Sequence, residues 1–244
     1  MSVLPLSVLT GSLLYALCAH AQEAARTIDL ECDHLPPACN QADEQTPGMM
    51  IEIGSEAIRR AGFTPNVKIR PWKRAMQEVM VSTSALMIYF ARTPEREPLF
   101  RWIAVTNTTD FSFISRDGSP PFDSLQQASA AGLIGIRAGS SVRSWLLQQG
   151  IKSEQLVESP LEDMAKMLRV GRVGSFFGAA TTFIPIYMQQ TGMRPVNGAR
   201  IYSSQNWIAA GLAFPPADAA KIADAINHMK QDGFINQVIS KYSP

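Results

Sequence analysis

Cysteine and histidine are scarce in this chain, with three of each in 244 residues. Their number leaves little material for a metal site, and no Cys/His cluster has zinc-ligand spacing. A surplus of one charge is also missing, since 22 Lys and Arg offset 21 Asp and Glu to a net charge of +1. That balance argues against nucleic acid as the main partner, which needs a basic surplus, but permits a small basic patch. The body of the chain has no uninterrupted apolar run of about 18 residues or more, which excludes a multi-span membrane protein. It has no low-complexity tract and no repeat of fixed period. It carries no H-E-x-x-H, G-x-S-x-G or G-x-x-x-x-G-K motif. What is present is a globular composition, 46% hydrophobic and 18% charged. The length suits one large domain or two of ordinary size.

The first segment, Met1 to Ala21, is mostly apolar and ends in Ala19-His20-Ala21, a small-x-small pattern. It reads as a secretory signal cleaved after Ala21, although its start lacks Lys and Arg; the alternative is a single anchor helix. Leu17 is too large to precede a lipidated Cys18. Cleavage leaves Cys32 and Cys39, in CDHLPPAC. In an oxidising compartment, with Pro36 and Pro37 bending the loop between them, they are expected to form a disulfide; two free thiols are the alternative. The spacing is not the C-x-x-C of a redox pair.

Residues 26 to 32 have β character. Met50, Ile53, Ala57, Ile58 and Ala61 share one helical face over 48–61, with Gly62 placed to end the helix. A strand over 63–70 follows, then a helix opened by Pro71, then a buried apolar strand over 85–90. The second half repeats the theme. A strand at 132–137 leads through Ala138-Gly139-Ser140-Ser141 into a helix reaching Gln149, then a strand at 155–158 and a helix at 160–169. A strand at 173–177 and helices at 181–190 and 216–231 complete it, with 115–121 a surface loop. Strands alternating with helices predict an α/β fold with mostly parallel sheets.

Four segments in order carry a resemblance: Pro-Trp-Lys-Arg-Ala (71–75), Ala-Arg-Thr-Pro-Glu-Arg-Glu (91–97), Ile-Gly-Ile-Arg-Ala-Gly-Ser-Ser (134–141), and the terminal stretch from Gln231 to Tyr242. Together they resemble the periplasmic solute-binding proteins of the polar amino acid type, family 3 of the bacterial extracellular solute-binding proteins. The resemblance implies a type II periplasmic binding protein fold: two α/β lobes joined by two crossing hinge strands, with ligand bound in the cleft. It places lobe 1 at 22–106 plus 206–244, lobe 2 at 107–205, and the hinge strands near 103–107 and 201–205. It further implies a periplasmic monomer without a cofactor, serving a membrane permease of an ABC transporter or a membrane sensor.

Arg96 matches the family arginine that pairs with the ligand carboxylate, and a guanidinium offers that group a planar, permanently charged fork. The alternative is a surface arginine paired with Glu95 or Glu97. Arg92 is a second candidate cation or a structural ion pair. Ser140 and Ser141 precede a helix, so their turn is either an anion site or an ordinary N-cap. Trp72, Tyr89 and Phe177 are candidates for an apolar wall, beside a core role for Phe90 and Phe176. Large rings at Tyr89 and Phe90 suggest stacking on an aromatic, cyclic or flat ligand, or else a shallower pocket.

Amino acid binders of the family usually place an acidic residue after the late second-lobe strand to hold the ligand ammonium. Here Gly178 stands near that place, and no Asp or Glu occurs between Asp163 and Asp218. An α-amino acid ligand therefore requires Glu52, Glu56 or Asp33 to reach in, because a buried cation without a partner is costly. Two other readings stand beside transport: a ligand-sensing or ligand-free partner of a membrane signalling protein, and a dehydratase-like enzyme on the same fold. With His34 and His228 as the remaining histidines, the chain is expected not to be an enzyme.

Overall fold

The computed structural model describes residues 25–40 and 46–242. The expected leader, its cleavage point after Ala21 and Cys18 lie outside them. In chain order the elements are β1 (Thr27–Cys32), α1 (Met49–Arg60), β2 (Thr64–Ile69), α2 (Trp72–Val81), β3 (Ala85–Ala91) and β4 (Phe100–Ser115). They continue with α3 (Leu125–Ala130), β5 (Ile134–Arg137), α4 (Val142–Gln148), β6 (Leu156–Ser159), α5 (Leu161–Arg169) and β7 (Ser175–Gly178). The chain ends with α6 (Ala180–Thr191), β8 (Val196–Gly211), α7 (Pro216–Gln231) and α8 (Phe234–Tyr242).

The strands are hydrogen-bonded in the order β2-β1-β3-β8-β4-β7-β5-β6. The outer pairings, β1 with β2 and β3, and β5 with β6 and β7, are parallel. The central pairings β3–β8, β8–β4 and β4–β7 are antiparallel. The sheet is thus mixed, less parallel than the sequence pattern suggested. The reason is that β4 and β8 each run 16 residues and pair along almost their whole length. Both are longer than the expected hinge segments, which fall inside them. Their register shifts between Val105 and Asn107. There the Thr106 hydroxyl donates to the Asn206 carbonyl at 3.1 Å, and Asn206 Nδ2 donates to Asn107 Oδ1 at 3.1 Å and Thr109 Oγ1 at 2.7 Å.

Each half of the sheet is covered on both faces. In the first half, Ile28, Leu30, Leu86 and Ile88 pack against α1 and α7 through Ile53, Ile58, Ile222 and Ile226. The opposite face packs Met87, Phe90 and Phe100 against Ala75 and Val79 of α2. In the second half, Phe176 points to one core, with α5 and α6, while its neighbour Phe177 points to the other, with Val142 and Leu146 of α4. That split is the two-residue period of a strand covered on both sides. The periodic face predicted for α1 is buried, with Met50, Ile53, Ala57 and Ile58 all inaccessible.

Cys32 and Cys39 are joined by a disulfide, with their Cα atoms 6.5 Å apart. The loop it closes lies across the start of α1. The N–H groups of Met49 and Met50 donate to the carbonyls of Pro37 and Ala38, at 3.0 and 2.9 Å, so the loop satisfies donors that the helix leaves unpaired. Gly48 has φ 106°, and a Cβ there would lie 2.5 Å from the Ala38 oxygen, so glycine permits this close approach. The same loop reaches the other half of the molecule, where Leu35 packs against the α5–α6 core.

Candidate functional site

A cavity lies between the two halves, at the carboxyl ends of β1, β3, β5 and β7, the usual place for a ligand in an open α/β sheet. It encloses about 830 Å³ between atoms, part of it open to solvent. Cys32, Asp33 and Leu35 reach it from the disulfide loop. Trp72 comes from the first turn of α2, and Tyr89 and Arg96 from β3 and the turn after it. The other half supplies Arg137, Ser140, Ser141, Phe176, Phe177 and Gly178. Six residues selected from the sequence, Arg96, Ser140, Ser141, Trp72, Tyr89 and Phe177, thus share one cavity.

The turn after β3 separates its two arginines. Arg92 Nε and Nη2 donate to the Glu97 carboxylate at 2.6 and 2.5 Å, and its guanidinium covers Trp207. Arg92 therefore lies outside the cavity lining, in the ion pair foreseen as its alternative role. With Glu97 taken, Arg96 has no ion-pair partner among the described residues. It donates to the Ala91 carbonyl at 2.9 Å, and its guanidinium carbon lies 5.2 Å from the Trp72 ring centre and 4.9 Å from that of Phe90. Stacking of this kind holds the fork flat while leaving edge donors free. Burial lowers the Arg96 pKa. The negative charge of Glu95, the other partner considered from the sequence, opposes that from outside ion-pair distance, and the positive charge of Arg137 lowers it again. An incoming anion would relieve the burial cost and the repulsion from Arg137.

Arg137 is the charged site residue that the sequence reading missed; Phe111, Ser204 and Asn206 also line the cavity without having been selected. It ends the buried run of β5, where it reads as the polar terminus of a strand. In the structure Arg137 Nη1 donates to Asp33 Oδ2 at 3.0 Å, joining the two sides of the cavity. Asp33 is thus the one of the three candidate carboxylates that lines the cavity, and it is already paired. Glu52 accepts from Lys241 and Tyr242 at 2.6 and 2.5 Å, and Glu56 is held by Arg59 and Arg60.

Tyr89 has φ 58°, an uncommon conformation for a residue with a Cβ, at a register break between Met87 and Phe90. Its hydroxyl lies 3.2 Å from Thr109 Oγ1. Burial pushes its pKa up, against the opposing hydrogen bond with Thr109, so the group stays a neutral hydroxyl. Phe177 is fully buried and stacks on Trp145, with ring centres 5.5 Å apart and planes 9° apart. It closes the back of the cavity as a core residue. The Ser140–Ser141 turn is a weaker device than expected. Ser141 is the N-cap of α4 and its side chain caps nothing, while Ser140 Oγ accepts from Val142 N at a long 3.4 Å. Helix α4 has only seven residues, so its dipole contributes little.

Gly178 shows why the expected acidic residue is missing. A Cβ on it would lie 2.2 Å from the Phe176 ring. That ring is 2% exposed and stacks on Phe183 at 3.8 Å, so it fills the space a longer side chain would need. Immediately beyond, Ala179 is the N-cap of α6 and has no polar side chain to cap its first turn. The positive end of a 12-residue helix therefore adjoins the cavity where the resemblance places a carboxylate. Among the described residues no group of three or more His, Cys, Asp or Glu is arranged for a metal, and no helix is long and apolar enough to cross a membrane.

No family model and no curated protein matches the chain. Solved structures do. A histidine kinase sensor domain with similarity to periplasmic binding proteins superposes with a TM-score of 0.77 at 17% identity, covering 91% of this chain and all of that one. The chain has the type II periplasmic binding protein fold. ArgBP from T. maritima superposes at a TM-score of 0.70 and 16% identity, covering 89% of this chain and 94% of its own. A putative L-cystine ABC transporter protein from Listeria monocytogenes does so at 0.71 and 17%, covering 90% and 96%. At these identities the likeness is one of fold. The binding protein fold is built here with a cleft that holds two guanidinium groups and one carboxylate.

Proposed function

We propose that the protein is a periplasmic solute-binding protein that captures a small carboxylate-bearing solute in this cleft by lobe closure. Lobe 1 would comprise 22–106 plus 206–244 and lobe 2 residues 107–205, with the register break at Val105–Asn107 acting in the hinge. Arg96 carries the reading: it is a half-buried guanidinium, backed by two rings and without an ion-pair partner among the described residues. Ser140 and Ser141 would add hydroxyl donors from the opposite lobe, and Trp72 and Tyr89 would shape the rest. The site suits binding better than turnover, because its cysteine is in the disulfide and its carboxylate is paired. Delivery to an ABC transporter is the first reading of its purpose. A second reading is that the liganded protein engages a membrane sensor; the same fold serves as a sensor domain in a histidine kinase.

The test is a screen of carboxylic and amino acids against protein refolded once to remove carried ligand. Thermal shift and small-angle scattering would be read together. A ligand at a hundredfold its Kd should add about 2.7 kcal/mol of stability and contract the particle as the lobes close. A hit that stabilises without contraction would contradict the closing mechanism.

A further inference from the structure

The charges and the filled space in the cleft narrow the ligand class, on the assumption that the proposed binding site is correct. We infer that the solute is a monocarboxylic acid with an aromatic or cyclic apolar body and no ammonium group. Three observations converge. The ionised groups lining the cavity are Arg96, Arg137 and Asp33, which sum to one positive charge. Asp33 is committed to Arg137 at 3.0 Å, so one guanidinium remains to be matched, and one carboxylate matches it. The region around Gly178, where a carboxylate for an ammonium would stand, is occupied by the buried Phe176 ring. An ammonium brought there would lose its water and gain no counter-charge. Beyond the anion, Trp72, Tyr89 and Phe111 offer partly exposed aromatic surface from three different strands and helices. Such a wall favours a flat or cyclic body, because rings prefer offset or edge-on contact with other rings.

The exclusion rests on the ammonium, so the decisive probes are 3-phenylpropionate and L-phenylalanine, which differ only in that group. Calorimetric titration of the refolded protein should show the deaminated acid binding on the order of tenfold to a hundredfold more tightly. Both should lose binding in Arg96→Ala. Asp33→Asn supplies a second readout. It frees Arg137 and raises the charge of the cavity, so phenylsuccinate should gain affinity relative to 3-phenylpropionate, while L-phenylalanine gains nothing. Equal or tighter binding of L-phenylalanine, abolished in Arg96→Ala, would overturn this inference and leave the carboxylate site standing. So would loss of L-phenylalanine binding in Asp33→Asn, which would make Asp33 the ammonium partner. If neither probe binds the folded protein, the inference fails; if the wider acid panel is silent as well, the solute-binding proposal fails with it.

Discussion

The two walls of the cleft each present one arginine, and the two are held in opposite ways. On the first wall Arg96 lies against the Trp72 and Phe90 rings and has no ion-pair partner among the described residues. On the second, Arg137 is tied to Asp33 across the gap. A stacked guanidinium is positioned without being neutralised, whereas a paired one is positioned and neutralised together. The first arrangement leaves a cation that costs free energy until an anion arrives. The second gives a charge-neutral joint between the walls. On the proposed reading, a binding group at Arg96 and a latch at Arg137 differ in what orients the same guanidinium. Arg92 shows the difference within one turn: four residues from Arg96, it is exposed and neutralised by Glu97.

The largest expected effect attacks the second wall. Gly178→Asp would place a carboxylate where amino acid binders carry one. The new side chain collides with the Phe176 ring, which is buried and stacked on Phe183, so we expect a loss of about 3 kcal/mol from overpacking and charge burial. At about 2–4 °C per kcal/mol for a chain of this size, thermal unfolding reads it easily. An unchanged Tm together with new amino acid binding would show that Phe176 yields, and the explanation of the missing acid would be wrong.

Opening the disulfide loop comes next, since that loop delivers Asp33 and Leu35 to the joint between the walls. Replacing Cys32 and Cys39 by serine should cost about 2–3 kcal/mol through the freed unfolded chain. It should also weaken ligand binding, because the latch is carried on the loop. Lost stability with unaltered affinity would separate the loop from the site.

The smallest effect lies outside the cleft and serves as its control. Glu31 is 1% exposed and neither of its oxygens has a hydrogen-bond partner; Arg70 Nε lies 3.4 Å away. Burial raises its pKa above the usual carboxylate value, against the opposing charge of Arg70. A raised folded pKa means a contribution present at low pH that is lost as the pH rises through the shifted value. Glu31→Gln should therefore gain stability on wild type, about 1 kcal/mol or less, near pH 7 and lose that advantage near pH 4. Its ligand affinity should not change. A gain that is independent of pH would contradict the burial argument.

Much of this arrangement is legible in the sequence, for physical reasons that differ by element. Helices α1, α5 and α7 announce themselves because each buries one face, and Pro71 and Gly62 mark boundaries that sterics enforce. The full lengths of β4 and β8 are not legible, because each strand passes through two environments. The burial of β8 is slight over its first ten residues and nearly complete over its last six, so no single period describes it. Helix α3, LQQASA, is too short to show a period. At the site, the aromatic and cationic types could be read along the chain, but their pairing could not. Whether Glu97 reaches Arg92 or Arg96 depends on a turn, and whether Arg137 ends a strand or crosses a cleft depends on the other wall. The signal that could have found Arg137 was a lone charge ending a buried parallel strand, at the edge where such sheets hold ligands.

The central claim, that Arg96 is the cation held ready for a ligand carboxylate, is tested most directly by comparing it with its neighbour. Calorimetric titration of the tightest acid from the screen would be made against wild type, Arg92→Ala and Arg96→Ala. Removing a charge-assisted partner from a half-buried carboxylate costs about 2–3 kcal/mol or more. Arg96→Ala should therefore weaken binding by roughly a hundredfold with its Tm preserved, and Arg92→Ala by less than about twofold, since an exposed ion pair is worth little. Equal affinities in all three proteins, or a larger loss at Arg92 than at Arg96, would contradict the account.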